Sequence, residues 1–298
     1  MASWQAYLMA WTLRRKLKPR LAHAKVPYMR KLMTPPPVRI PEDITIKPGE
    51  VGGVGGEWVS RMGRAETTLL YLHGGGYFAC SAETHRSITI GFAEQGFRVF
   101  APNYRLAPEH RFPAALEDAT AVYKALSSPQ IVIAGDSAGG GLALGLMVAA
   151  RDRGIMLPAA AALFSPWTDL AATGESLVTN DRRCAMFFGG NIGKSAKFYL
   201  SGEDPLNPLA SPLYAEFTNF PPLLIHVGKD ETLRDDSVRL AERVRAAHVP
   251  VELKIFPVVP HAWQLLGYPR LPEARRSIGE AAGFLKAAAE AAGRGAVA

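Results

Sequence analysis

Residues 130–141 read Gln130-Ile131-Val132-Ile133-Ala134-Gly135-Asp136-Ser137-Ala138-Gly139-Gly140-Gly141. The first half is a short apolar run rich in β-branched side chains, which is typical of a buried strand. The second half consists of small residues and continues into the apolar run 142–147, which predicts a helix. We therefore expect a strand that turns sharply into a helix, with Ser137 in the turn.

This turn carries the pattern Gly-x-Ser-x-Gly at residues 135–139. Glycines let the backbone double back beside the serine, which leaves the serine Oγ exposed at the carboxyl end of the strand. Glycine and serine are common, so most matches to this pattern alone are ordinary turns. The strand before the turn and the helix after it favour the other interpretation, a nucleophile elbow built around Ser137.

Strand and helix patterns alternate along most of the remaining chain. At 298 residues the chain is long enough for one large α/β domain with an appendage. The alternation predicts a mostly parallel sheet with helices on both faces. The glycine pairs in residues 51–56 predict a hairpin turn, because no Gly-Lys-Ser/Thr follows them as a phosphate loop would require. Predicted strands cover 67–72, 97–102, 159–164, 223–228 and 251–256, and predicted helices cover 83–95, 113–126, 237–247 and 272–292.

Two segments depart from this alternation. Residues 3–18 place Trp4, Tyr7, Leu8 and Trp11 on one helical face, with basic residues after them. This aromatic stripe either packs on the protein's own surface, the interpretation we favour, or lies on an anionic membrane. Residues 171–207 are aromatic, dotted with glycine and without a clear strand pattern. They predict a helical insertion, which either covers a pocket or is simply buried against the body.

The charge distribution argues against a nucleic-acid partner. The formal net charge is +7, but residues 1–41 hold nine Lys and Arg with no Asp or Glu, which leaves 25 basic against 27 acidic residues elsewhere. A local excess of this kind does not make a basic groove across the body. No secretory signal pattern is present and no apolar run reaches transmembrane length, so we expect no stable membrane insertion.

Cysteine usage indicates a reducing compartment. Cys80 and Cys184 are too few for a disulfide framework and show no metal-ligand spacing. We therefore expect a cytoplasmic protein that needs neither a metal nor a cofactor.

A nucleophilic serine needs a base, an orienting acid and donors for the developing oxyanion. His261 follows the last predicted strand in a loop and is the candidate base, whereas His226 lies inside a predicted strand. Three consecutive glycines, residues 74–76, end another predicted strand and let backbone amides approach a ligand closely, as an oxyanion hole requires. His73 precedes these glycines and is expected to brace their loop.

Four motifs together resemble the bacterial hormone-sensitive-lipase family of esterases, over about residues 65–285. They are His73-Gly74-Gly75-Gly76, Tyr104-Arg105-Leu106-Ala107-Pro108-Glu109, Gly135-Asp136-Ser137-Ala138-Gly139 and Ser165-Pro166-Trp167. The resemblance implies an α/β-hydrolase fold, cleavage of carboxylic esters and an oxyanion hole formed by the amides of Gly75, Gly76 and Ala138.

The resemblance also implies a division of the chain into cap and core. Residues 1–40 and 171–207 would form a helical cap, and residues 41–170 and 208–298 the two parts of the hydrolase core. A homodimer through the edge of the last strand would suit the family.

The acid of the triad is the open position. The family motif is an aspartate, a proline, a hydrophobe, any residue and a second aspartate, and this chain offers Asp230-Glu231-Thr232-Leu233-Arg234-Asp235-Asp236. Matching Leu233 and Asp235 to the hydrophobe and second aspartate places Glu231 at the catalytic position. The family's spacing from Pro221-Pro222 to the acid, and from the acid to His261, also leads to Glu231. Asp230 remains the alternative.

Three further aspartates receive other roles. Asp235 and Asp236 are expected to cap the following helix. Asp169 comes too early in chain order for the triad acid and is expected to be structural.

The resemblance leads us to expect a serine carboxylesterase that acts on short to medium acyl esters through an acyl-enzyme. Its rivals are an amidase or a long-chain lipase on the same fold, and a catalytically silent ligand-binding homologue. The chain departs from the family at Asn103, where aspartate is usual, and at Cys80, where glycine is usual. Cys80 is expected to narrow the mouth of the acyl pocket.

Overall fold

The computed structural model describes residues 2–63 and 67–295 of the chain. Eight strands form one sheet, and each predicted strand is present within two residues of its expected bounds. The strands are β1 (Ile44–Val51), β2 (Val54–Arg61), β3 (Thr67–Leu72), β4 (Phe97–Pro102), β5 (Val132–Asp136), β6 (Ala161–Phe164), β7 (Leu223–Gly228) and β8 (Val251–Phe256).

The sheet has the order β1-β2-β4-β3-β5-β6-β7-β8. β1 and β2 form an antiparallel hairpin whose turn residues Gly52 and Gly53 have φ of 60° and 79°, which confirms the predicted hairpin. β2 also runs antiparallel to β4, while every later pair is parallel. The mostly parallel sheet is thus confirmed, and the carboxyl ends of β3, β5, β6 and β7 lie side by side.

Helices precede, connect and follow the strands. They are α1 (Trp4–Lys16), α2 (Lys18–Ala22), α3 (Val26–Met33), α4 (Arg86–Glu94), α5 (Ala114–Leu126), α6 (Ala138–Asp152), α7 (Ser176–Thr179), α8 (Gly189–Leu200), α9 (Arg234–Ala246), α10 (Trp263–Gly267) and α11 (Pro272–Gly295). The short α10 was not predicted. In the part of the chain that the structure describes, no helix has both the length and the hydropathy that crossing a bilayer requires.

The helices cover both faces of the sheet, as the alternation predicted. Successive strand side chains point to opposite faces, so β3 serves two separate cores. Leu70 and Leu72 pack in the cluster that contains the buried faces of α5, α6 and α9. Leu69 and Tyr71 pack in the cluster formed with α4 and α11. The sheet is therefore rigidly sandwiched, which fixes the loops at its carboxyl end.

The prediction that the aromatic stripe of the first helix packs on the protein is wrong. Trp4, Tyr7, Leu8 and Trp11 are 71%, 57%, 51% and 52% exposed. α1 instead docks through its opposite face, where the buried Ala6 belongs to a cluster with the α10 and α11 residues. Small side chains on that face allow closer approach of the helix backbone, which explains the orientation.

His226 of β7 is fully buried. Its Nδ1 lies 2.8 Å from Ser277 Oγ on α11, and its ring packs between those of Phe164 and Phe256. Burial lowers the pKa of His226 to about 4 from the usual 6.5. This histidine therefore stays neutral in the folded protein well below the pH at which the unfolded chain protonates it.

This difference makes stability sensitive to acid. The unfolded chain binds a proton near pH 6.5 and the folded protein only near pH 4, so the stabilisation is present above 6.5 and is lost as pH falls through this window. Between about pH 7 and pH 4, we expect the free energy of unfolding to fall by about 3 kcal/mol more in the wild type than in His226→Gln. Urea unfolding of both proteins across this range measures the difference; parallel pH profiles would contradict it.

Candidate active site

Ser137 is the single residue that connects β5, which ends at Asp136, to α6, which begins at Ala138. Its φ of 53° and ψ of −122° are sparsely populated for any residue but glycine and cost about 1–3 kcal/mol. The surrounding backbone fixes this conformation, because the Ser137 amide donates to the Phe164 carbonyl at 2.8 Å and the Ser137 carbonyl accepts from the Trp167 amide at 2.9 Å. The strand-turn-helix context of the Gly-x-Ser-x-Gly pattern is present as predicted.

Glycine at 139 is required by the tightness of this turn. A Cβ built there would overlap the carbonyl oxygens of Leu72 and His73 at the end of β3. The first turn of α6 can thus approach the neighbouring strand closely, which brings Ser137 beside the loop that follows β3.

His261 and Glu231 form a buried hydrogen-bonded pair. His261 Nδ1 lies 2.6 Å from Glu231 Oε2. Glu231 Oε1 accepts from Ser165 Oγ at 2.7 Å and from the Gly228 amide at 2.5 Å. Donors therefore hold both carboxylate oxygens in place, and a carboxylate acceptor at Nδ1 favours the tautomer whose free base is Nε2.

The second imidazole nitrogen of His261, Nε2, takes no part in this hydrogen bond. His261 Nε2 is buried and has no hydrogen-bond partner among residues 2–63 and 67–295. His261 and Ser137 line the same cavity. Asp230 is only half-buried, and the bond to the imidazole goes to Glu231. The structure thus brings Ser137, His261 and Glu231 to one place.

The role of Ser165 was not predicted, although this residue begins the motif Ser165-Pro166-Trp167. Ser165 follows β6, whose carboxyl end lies next to that of β7, and its hydroxyl donates to Glu231. A serine at the end of a neighbouring parallel strand is the signal that could have revealed this contact.

The expectation that Asp235 and Asp236 cap the following helix is wrong. α9 begins at Arg234, three residues before the predicted start, so both side chains lie inside its first turn. Asp236 accepts from the amides of Thr168 and Asp169, at 2.8 and 2.9 Å, and Asp235 accepts from the Ser176 amide at 2.7 Å. These carboxylates instead hold the loop after β6 against α9.

Asp169 belongs to the same structural network. Its carboxylate accepts from Tyr214 Oη at 3.0 Å and from Arg239 at 2.8 Å, away from His261. The structural role expected for Asp169 matches these contacts.

The three-glycine loop after β3 lies beside the elbow. Gly75 and Gly76 have φ of 116° and 63°, and a Cβ on Gly75 would overlap the Ala79 carbonyl. Both glycines line the cavity that contains Ser137. The amide of Ala138 is the first of α6 and so belongs to the helix N-terminus, where amides have no intrahelical partner. These three amides were the predicted oxyanion donors.

Asp136 positions this loop, a role that the sequence did not reveal. Its Oδ1 accepts from the Gly74 amide at 2.9 Å and from Tyr71 Oη at 2.7 Å, and His85 Nε2 lies 3.3 Å away. Burial opposes ionisation of Asp136, but His85 and these hydrogen bonds outweigh it and lower its pKa. A buried carboxylate adjacent to Ser137 in sequence therefore fixes the glycine loop.

His73 is tied to the backbone of the same loop. Its Nδ1 lies 2.7 Å from the Gly74 carbonyl, and its ring stacks on Tyr104 at a centroid distance of 4.2 Å. Burial lowers the pKa of His73 to about 3, so the ring is neutral. These contacts match the bracing role expected from the sequence.

The cavity above Ser137 has a volume of about 230 Å³ and a mostly apolar lining. Both segments predicted as cap contribute side chains to it, together with Cys80 from the core. The apolar lining from these segments includes Leu17, Leu21, Met29, Leu32, Met33, Met186, Phe187, Ile192 and Phe198. Within the described ranges, no group of three or more His, Cys, Asp or Glu side chains could hold a metal ion.

Lys18 joins the two segments across the cavity. It is buried, and its Nζ donates to the carbonyls of Asp181 and Cys184 and lies 4.2 Å from the centre of the Phe188 ring. Burial lowers the pKa of Lys18. This lysine, which the sequence analysis did not single out, therefore fastens the N-terminal helices to the 171–207 insertion.

Comparison with known proteins agrees with this geometry. A family model described as the alpha/beta hydrolase fold matches residues 69–265. An acetyl-hydrolase of Streptomyces hygroscopicus is 42% identical over 255 residues, which cover 83% of this chain and 85% of the relative.

Solved structures extend the similarity to nearly the whole chain. EstE5, in crystals soaked with p-nitrophenyl butyrate, superposes with a TM-score of 0.91 at 39% identity, covering 97% of this chain and 100% of its own. An esterase from the bacterial hormone-sensitive lipase family superposes with a TM-score of 0.88 at 37% identity, covering 97% and 99%. The chain therefore belongs to the bacterial hormone-sensitive-lipase family of α/β-hydrolase-fold esterases, and it is a carboxylic ester hydrolase.

Proposed function

We propose that the protein hydrolyses short to medium acyl esters by a serine mechanism. In this mechanism His261 Nε2 removes the proton from Ser137 Oγ as that oxygen attacks the ester carbonyl. Glu231 holds the imidazole in the required tautomer and stabilises the imidazolium. The observation that carries the proposal is the 2.6 Å contact between His261 Nδ1 and Glu231. It leaves Nε2 buried without a hydrogen-bond partner in the described part of the chain, and His261 lines the same cavity as Ser137.

Charge that develops on the carbonyl oxygen would be met by the amides of Gly75, Gly76 and Ala138. Collapse of the tetrahedral intermediate expels the alcohol, which takes the proton from His261, and leaves the acyl group on Ser137. Water activated by His261 then attacks the acyl-enzyme and releases the carboxylic acid. Loss of one oxyanion donor typically lowers kcat on the order of a hundredfold or more, so the loop that Asp136 fixes has a direct effect on rate.

The cavity size supports the preference for short acyl chains. Its volume of about 230 Å³ lies below the roughly 300–1,000 Å³ of pockets that hold drug-sized ligands. Cys80 lines this cavity, which fits its expected role of narrowing the acyl pocket. The Streptomyces relative named an acetyl-hydrolase and the butyrate ester soaked into EstE5 both involve short acyl groups.

We expect kcat/KM for p-nitrophenyl esters to be highest at acyl chains of about two to six carbons, because longer chains cannot be enclosed by the cavity. Between butyrate and palmitate, kcat/KM should fall on the order of a hundredfold. A series from acetate to palmitate measures this, with butyryl p-nitroanilide as the matched amide.

Each rival activity predicts a different outcome of this series. A maximum at palmitate would indicate a long-chain lipase. Faster turnover of the anilide than of the ester would indicate an amidase, and no turnover of any substrate would indicate a silent binding homologue.

Three further expectations remain proposals. Residues 1–40 and 171–207 act as a cap, which the lining of the cavity by both segments supports. A homodimer would use β8, which is an edge of the sheet and leaves Ile255 exposed. A cytoplasmic location rests on Cys80 and Cys184, which are both free thiols.

A further inference from the structure

The outward face of α1 is unusual for a protein surface. Trp4, Tyr7, Leu8 and Trp11 lie at positions i, i+3, i+4 and i+7, and each is more than half exposed. Large exposed apolar patches on a protein surface usually mark a contact with a partner or a membrane. We call these four residues the α1 aromatic face.

α1 is held in this orientation from its other side. The Ser3 amide and hydroxyl donate to the two carboxylate oxygens of Glu273, at 2.6 and 2.8 Å. Ala6 and Ala10 are buried, and Ala6 packs in the cluster that contains Phe256 and Trp263. The helix is therefore already docked, and turning its aromatic face inward would break these contacts.

Cations border the α1 aromatic face. Arg14, Arg15 and Lys16 are exposed in the last turn of α1, and the Arg15 guanidinium lies 5.6 Å from the centre of the Trp11 ring. Arg14 donates to the Arg183 carbonyl, which places the exposed 182–183 arginine pair next to it. No acidic residue occurs in residues 1–41 to offset this charge.

The aromatic side chains and the cations beside them together indicate what binds to the α1 aromatic face. A second copy of the same face would bring these cations against one another, which opposes self-association through it. Tryptophan and tyrosine prefer the boundary between lipid headgroups and acyl chains, and flanking arginine and lysine are attracted to anionic headgroups. An anionic lipid surface satisfies both the apolar and the charged part of the face.

We propose that α1 adsorbs the protein to anionic lipid surfaces, with its aromatic face in the headgroup region and its axis parallel to the surface. At 13 residues the helix is about 20 Å long, too short to cross a hydrocarbon core of roughly 30 Å. Leu17, Lys18 and Leu21, which follow α1 directly, line the cavity above Ser137. The lining of that cavity therefore begins at Leu17, the residue directly after the adsorbed helix.

The test uses the full chain and vesicles of phosphatidylglycerol and phosphatidylcholine, compared with phosphatidylcholine alone. Trp4→Gln/Trp11→Gln should weaken cosedimentation with anionic vesicles about tenfold or more, because the apolar contact is lost. Arg15→Gln/Lys16→Gln should weaken it on the order of tenfold, as should about 0.5 M NaCl. Met156→Gln is the matched control, since Met156 is 52% exposed beyond the C-terminal end of α6.

Far-UV circular dichroism and the melting temperature, which should be unchanged in all variants, establish folding independently of esterase activity. Absence of wild-type binding to anionic vesicles at low salt would overturn the proposal, and so would equal binding by Trp4→Gln/Trp11→Gln. Equal binding to neutral vesicles would overturn the electrostatic part. A wild-type dimer that Trp4→Gln/Trp11→Gln converts to a monomer would instead assign the face to a second copy.

Discussion

Ser137→Ala lowers kcat for p-nitrophenyl butyrate hydrolysis by a factor on the order of 10⁴–10⁶ and leaves KM within about threefold. The hydroxyl is the proposed attacking group, and alanine has no oxygen that could attack the ester in its place. KM changes little because the cavity walls and the predicted oxyanion amides are unaltered. Steady-state kinetics on purified protein measure both constants.

The alanine variant is expected to remain folded. Alanine carries the same Cβ as serine, so the strained φ of 53° at residue 137 is no worse tolerated than before. The turn at Ser137 is held by its backbone bonds to Phe164 and Trp167, which the loss of the hydroxyl leaves in place. The melting temperature should therefore stay within about 2 °C of the wild type.

A fluorophosphonate probe gives a second readout of the same proposal. It should add covalently to the wild type at the peptide containing Ser137 and leave Ser137→Ala unlabelled. Ser128→Ala is the matched control, because Ser128 precedes β5 at the amino end of the strand and should keep full activity. Residual activity in Ser137→Ala above about one per cent would show that the ester is cleaved by another route.

The elements that the sequence predicted correctly are those whose information is local. β3, β5 and β7 are apolar runs between turn residues, so their position follows from the pattern alone. The Gly-x-Ser-x-Gly turn is equally local, because its strand, serine and helix are contiguous. The predicted start of α9 was three residues late, because the helix begins at Arg234 without a side chain that caps it.

Contacts between distant residues could not be read from the pattern. The bond from the Gly74 amide to Asp136 spans 62 residues, and that from Lys18 to the Asp181 carbonyl spans 163. Both depend on how loops meet at the carboxyl end of the sheet. Periodicity also showed that Trp4 and Trp11 share a face of α1 without showing which face is buried, because the opposite alanine face is the one that approaches the core.

Glu231→Gln lowers kcat for p-nitrophenyl butyrate by a factor on the order of 10³–10⁴, whereas Asp230→Asn stays within about twofold of wild type. Glutamine preserves the size of the side chain, and its oxygen can still accept from Ser165 and Gly228. Its amide group then faces His261 Nδ1 as a donor. Nδ1 must then accept this bond, so the neutral imidazole carries its proton on Nε2. A protonated Nε2 cannot take the proton from Ser137.

Asp230→Asn removes a carboxylate from the same loop but leaves the bond between Glu231 and His261 intact. The two variants therefore separate the effect of losing this bond from the effect of losing one negative charge near His261. Equal losses of kcat in both variants would mean that the acidic turn acts only through the electrostatic field of its charges. A loss of kcat confined to Asp230→Asn would make Asp230 the acid of the triad. Glu231→Asp sharpens the comparison, because it keeps the charge but withdraws the oxygen from a contact now 2.6 Å long. An intermediate kcat for Glu231→Asp shows that the position of the carboxylate, and not only its charge, sets the tautomer.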